Sequence, residues 1–226
     1  MTPCTRAARA GRWPLLERLE LDSLGEAGAE ALALHGEWPA LSSLSLGGRL
    51  GVAGWAALRD SGAARWPRLA ELCITALGVG VAAGEPLIRG WPLLRALSVT
   101  LPPRGTDAGT KARLQGAFFA SALPLLEELT LSSDFSAAAV TAALACAPWP
   151  RLRRLVLAED QYNDRYVPIP PGFRLLLVTA DWPELEELPL SRASGLLVLP
   201  APGRAWPRLK YVARLNPTGC VLRSTP

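Results

Sequence analysis

The sequence predicts an α/β fold in which about eight short parallel strands stack in chain order, joined by segments that return over one side. Three observations carry that expectation. Of 226 residues 42 are Leu and half of the chain is hydrophobic, so a large apolar surface has to be buried. A Trp-Pro pair recurs seven times, at Trp13, Trp38, Trp66, Trp91, Trp149, Trp182 and Trp206, and Leu123-Pro124 fills the one wide gap. The pattern Pro-x-Leu-x-x-Leu-x-Leu follows each anchor. The anchors lie 25, 28, 25, 32, 26, 33 and 24 residues apart, a period typical of stacked repeats.

The strands come first. The last two marked positions are two residues apart, so both point to one face of an extended segment. They are Leu19 and Leu21, Leu44 and Leu46, Leu72 and Ile74, and Leu97 and Val99. Leu129 and Leu131, Leu155 and Leu157, and Leu188 and Leu190 continue the series. The eighth copy has Leu209 and Val212 but sets Arg214 where an apolar residue is due. Pro enters just before each strand, where its missing N–H removes no ladder bond. One such strand cannot bury its apolar face alone, whereas stacked parallel copies build a continuous core.

This pattern resembles the leucine-rich repeat family, across residues 13 to 214. The repeat lengths are most similar to its intracellular, ribonuclease-inhibitor-like class. The resemblance implies a solenoid: a curved horseshoe with a parallel sheet on its concave side and helices and extended segments on the convex side. Residues 13–214 form the repeat domain, with 1–12 and 215–226 as tails. A departure lies eight residues after the first Leu, where the family carries Asn or Cys. Here that position holds Leu24, Arg49, Leu77, Pro102, Asp134, Asp160 and Ala193, so an irregular turn ladder is expected.

Between strands, the segment from Leu24 to Ala33 is similar to that class's Gly-containing turn into an Ala/Leu-rich helix. Trp55 and Leu58 mark a second helix. Residues 110–122, with Leu114, Phe118 and Phe119, and residues 137–147, opened by Ser136 as N-cap, mark two more. Residues 78–90 are Gly-rich, and 196–205 hold Pro200 and Pro202, which favours an extended segment. Such helices gain stability mainly from packing on the sheet.

Charge and cysteine narrow the function. The formal charge is +4, and all basic residues except Lys111 and Lys210 are Arg, scattered along the chain. A nucleic-acid surface needs basic clustering with interleaved aromatics, and no nucleic-acid partner is expected. No stretch approaches the roughly 18 uninterrupted apolar residues of a spanning helix, so no membrane partner is expected either. Cys4, Cys73, Cys146 and Cys220 lie far apart with a single histidine, His35, which argues for reduced thiols and against structural zinc. The first residues lack the apolar run of a secretory signal; being Arg-bearing and acid-free, they leave an organelle transit peptide open. The expected setting is intracellular and cytoplasmic, with cytoskeleton or ciliary axoneme open.

The sequence offers no nucleophile elbow, phosphate loop or metal cluster, so neither catalysis, a cofactor nor a small-molecule substrate is expected. The tryptophans could form a recognition stripe, but Leu123 replaces one directly, which favours a core role. The resemblance points to the concave strand face as the partner surface. Alternation puts there the single-sign pairs Glu127 and Glu128, Arg153 and Arg154, Glu186 and Glu187, and then Lys210 and Tyr211. Adjacent carboxylates in a strand, such as Glu127 and Glu128, should point partly to opposite faces. The longest gap adds Tyr162, Tyr166 and Phe173 in a Pro-rich loop of the kind that carries binding. The favoured reading is a non-catalytic protein-interaction scaffold. Regulation of a small GTPase, which needs a well-placed arginine or polar loop for which neither Arg18 nor Arg104 stands out, and a degenerate or fragmentary repeat protein are the alternatives.

Overall fold

Each anchor closes a β-turn in the computed structural model, which describes residues 13–75, 88, 90–100, 123–132, 149–158, 182–191, 206–210 and 214–215. The Leu16 N–H donates to the Trp13 carbonyl at 3.1 Å, and the same bond closes all eight anchors at 3.1–3.2 Å, ending with Leu209 to Trp206. Pro occupies the second turn position, where its fixed φ is already that of the turn. The motif read as a strand entry is therefore first a turn.

Every turn leads into a strand. The strands are β1 (Arg18–Leu21), β2 (Ser43–Gly47), β3 (Glu71–Thr75), β4 (Ala96–Thr100), β5 (Glu128–Ser132), β6 (Arg154–Ala158), β7 (Leu190–Ser191) and β8 (Arg214–Leu215). They form one eight-stranded sheet in chain order, and every neighbouring pair is parallel. Leu19, Leu44, Leu72, Leu97, Leu129 and Leu155 share one register row; Leu21, Leu46, Ile74, Val99 and Leu131 share the next. From Leu44 to Leu155 these residues are at most 2% exposed. Full burial of each contributes roughly 1.5–3 kcal/mol, the dominant favourable term in the sheet.

Strict alternation fails at the strand entry. The N–H groups of Glu127 and Glu128 both donate to the Arg95 carbonyl, at 2.8 and 2.9 Å. Those of Arg153 and Arg154 converge likewise on the Glu127 carbonyl, and those of Glu186 and Glu187 on Arg153. Successive N–H groups of a regular strand point oppositely, so convergence requires the first residue to leave extended geometry, as at a β-bulge. Neither side chain of the Glu127–Glu128 pair enters the core, Glu127 being half-buried and Glu128 exposed.

Strand β7 is shorter than its Leu spacing suggests. Pro189 stands opposite the β6 position whose neighbours are Leu155 and Leu157, and it has no N–H to donate there. Pairing between β6 and β7 is confined to Leu157 with Leu190 and the bridge of Arg154 with Glu187.

Two helices are described, α1 (Glu26–His35) and α2 (Gly51–Arg65). They realise the helices expected at Leu24 to Ala33 and at Trp55 and Leu58. Residues 110–122, 137–147, 196–205 and nearly all of 78–90 lie outside the described residues. Ala29, Leu32 and Ala33 of α1 and Trp55 and Leu58 of α2 are buried in the same cluster as the strand leucines. The carboxylate of Glu26 accepts the Ala53 N–H at 2.9 Å, so one helix caps the first turn of the next. Eight residues after the first Leu, Leu24 is buried; in the next copy that position holds exposed Arg49, and Leu50, one residue later, is buried. The extra residue is accommodated at Gly48, whose φ is 118° and whose Cβ would stand 2.5 Å from the Leu24 carbonyl oxygen.

Six of the seven anchor tryptophans lie in the core, with Trp38, Trp66, Trp91, Trp149, Trp182, Trp206 and Leu123 all buried, while Trp13 is exposed. Trp13, Trp38 and Trp66 stack at 6.2 and 6.3 Å, and Trp182 stacks on Trp206 at 5.9 Å. Such pairs add about 0.5–1.5 kcal/mol each beyond area burial. Trp66 also donates its indole N–H to the Gly36 carbonyl at 2.9 Å, tying the end of α1 to the turn that follows α2.

Candidate partner-binding face

The sheet buries one face and leaves the other lined by polar side chains. Charges on that open face fall into rows set by the register. The residue after the turn-closing Leu supplies the first row, in which Arg95, Glu127, Arg153, Glu186 and Lys210 alternate in sign. Arg95 contacts Glu127 at 3.3 Å, Arg153 contacts Glu186 at 2.7 Å, and Lys210 contacts Glu186 at 2.9 Å. The next residue of each unit supplies the second row, where Arg154 lies 3.8 Å from Glu128 and 3.2 Å from Glu187. The turns supply a third contact, between Arg208 and Glu184.

Glu186 is the most constrained member. Its carboxylate accepts hydrogen bonds from Arg153 and Lys210, and these, with the charges behind them, outweigh partial burial and hold its pKa down to about 2. The hydrogen bond to Glu186 raises the pKa of Arg153 in return.

The rest of the face differs. Arg18 reaches Glu71 only at 3.9 Å, while Glu17, Glu20 and Asp22 are exposed and without an ion-pair partner among the described residues. Between this acidic end and Arg95 lie small side chains: Ser42, Ser43, Ser45, Cys73 and Ser98, all half-buried.

Of the residues expected to bind a partner, Glu127, Glu128, Arg153, Arg154, Glu186 and Glu187 are brought together on three adjacent strand entries. Tyr162, Tyr166, Phe173 and Tyr211 lie outside the described residues, as does Arg104. Sequence reasoning missed the Glu184–Arg208 contact, although both occupy the residue after Pro in successive anchors. Aligning the copies would have set the two opposite charges side by side. No group of three or more His, Cys, Asp or Glu among the described residues could hold a metal ion. No described helix is long and apolar enough to cross a membrane. Compared with protein-family models and with curated proteins, the chain matches none.

Proposed function

We propose that the chain is a leucine-rich repeat solenoid of about eight repeats that binds a protein partner through its concave strand face, as a non-catalytic scaffold in the cytoplasm or on the cytoskeleton. Eight turn-and-strand units in chain order, the first seven with apolar residues in shared register rows, support the solenoid. One observation carries the binding role: the sheet face opposite the core is lined by registered rows of alternating charge that no described helix covers. Neighbouring parallel strands lie about 4.8 Å apart, so these rows present charge at a fixed spacing and favour a partner of complementary pattern.

The mutual pairing sets how such a partner engages. Exposed ion pairs are individually weak, so a partner exchanges one salt bridge for another at little cost and gains selectivity more than affinity. Reversing Glu127, Glu128, Arg153 and Arg154 together keeps the contact between positions 128 and 154 complementary. It makes Arg95–Glu127, Arg153–Glu186 and Arg154–Glu187 repulsive. In a pull-down with folded variant, verified by circular dichroism, partner recovery is expected to fall at least tenfold, about 1.4 kcal/mol. Undiminished recovery rules this face out.

A further inference from the structure

Strand β1 stands at one edge of the sheet, and β2 is its only strand partner among the described residues. Its apolar side chains are less covered than their counterparts. Leu16, Leu19 and Leu21 are partly buried, whereas Leu41, Leu44 and Leu46 are at most 1% exposed. Trp13 stacks on Trp38 yet is 44% exposed, and Leu15 is 85% exposed. Among the described residues the backbone of β1 also has a free side. The Ser43 N–H reaches back to the Glu17 carbonyl, and in a parallel ladder a residue turns its N–H and C=O to the same neighbour. Arg18 is in register with Ser43 and Glu20 with Ser45, so the backbone groups of Arg18 and Glu20 face the open edge.

We propose that a second copy of this chain docks antiparallel on β1, along a two-fold axis through Leu19, to make one continuous sheet. Charge selects both the occupant and the register. With the axis at Leu19, Arg18 lies opposite Glu20 of the other copy and Glu20 opposite its Arg18. Both pairs join opposite charges on the open face, and each pair can exchange two backbone hydrogen bonds. Leu19 meets Leu19 of the other copy on the core side. Moving the axis to Arg18 sets arginine against arginine, and moving it to Glu20 sets glutamate against glutamate. An axis at Leu21 sets Glu20 against Asp22. An edge strand bearing like charges would repel its own copy; Arg-x-Glu is self-complementary, which is the condition for an isologous contact. The distant contact of Arg18 with Glu71, at 3.9 Å, leaves its guanidinium available.

Sedimentation equilibrium of the full chain over a wide concentration range tests this, and a monomer–dimer equilibrium is expected. Arg18→Glu places carboxylates opposite each other in both pairs and should weaken the dimer about tenfold or more. Combining Arg18→Glu with Glu20→Arg restores opposite signs and should restore the dimer. Glu20→Pro removes an outward N–H while sparing the β1–β2 ladder, and should give a folded monomer by circular dichroism. A wild-type monomer at every concentration overturns the proposal. So does an Arg18→Glu dimer as tight as wild type, or a folded double variant that stays monomeric.

Discussion

Glu186 shows what a single residue gains from its place in a register row. Its carboxylate accepts 2.7 Å and 2.9 Å contacts from Arg153 and Lys210, cations that come from the preceding and following turn-and-strand units. In the unfolded chain those cations are no longer held beside it, and the carboxyl titrates near 4.5 rather than about 2. A carboxylate with a depressed folded pKa contributes stability that is fully present above the unfolded value and is lost as pH falls through the folded one. The window for Glu186 therefore runs from about pH 4.5 down to about pH 2. Arg153, whose own pKa is raised by the contact, stays cationic throughout it. Glu186→Gln removes this titration. Urea midpoints measured across that window should fall less steeply for the variant than for the wild type. Identical acid slopes would show that the contacts with Arg153 and Lys210 contribute nothing to stability.

At the scale of an element, α2 is held by contacts that helix propensity does not capture. A Cβ on Gly62 would stand 2.5 Å from Cζ2 and 2.7 Å from Nε1 of Trp91. Trp91 is buried and set edge-on to Trp55 at 6.3 Å, so its indole has little room to withdraw. Ala in place of Gly favours a helix interior by up to about 1 kcal/mol, while overpacking a filled core costs about 1–3 kcal/mol. Gly62→Ala should therefore destabilise by roughly 1–2 kcal/mol. Gly25 poses the opposite case. It is the N-cap of α1, extended at φ −90° and ψ 173°, with no side-chain cap bond and nothing within 4 Å of an added Cβ. Gly25→Ser supplies the missing acceptor and should stabilise by a few tenths of a kcal/mol. Urea denaturation midpoints should move in opposite directions for the two variants, and a shared direction would refute the packing argument at Gly62.

Across the whole molecule, the strands were legible because each repeats one constraint: leucines at fixed steps from Pro, such as Leu41, Leu44 and Leu46, can share only one buried face. Relations between copies were harder to read. The convergence of Glu127 and Glu128 on the Arg95 carbonyl is a backbone event that a two-residue alternation does not contain. The Glu184–Arg208 contact emerges only after the copies are superposed, and the brevity of β7 turns on Pro189 alone. The same nearest-neighbour logic governs stability. Sheet order equals chain order, so Leu129 in β5 packs within a row whose neighbours are Leu97 in β4 and Leu155 in β6. Leu129 is fully buried, and Leu129→Ala should cost about 2–5 kcal/mol from lost transfer energy and the cavity left behind. In an array coupled only through adjacent units, such a loss fades with distance from its origin. Amide hydrogen exchange should therefore show protection falling most in β4, β5 and β6, and least in β1 and β2. An equal loss in every strand would instead mean that the sheet opens as one cooperative unit, with coupling between neighbours stronger than the cost of the cavity.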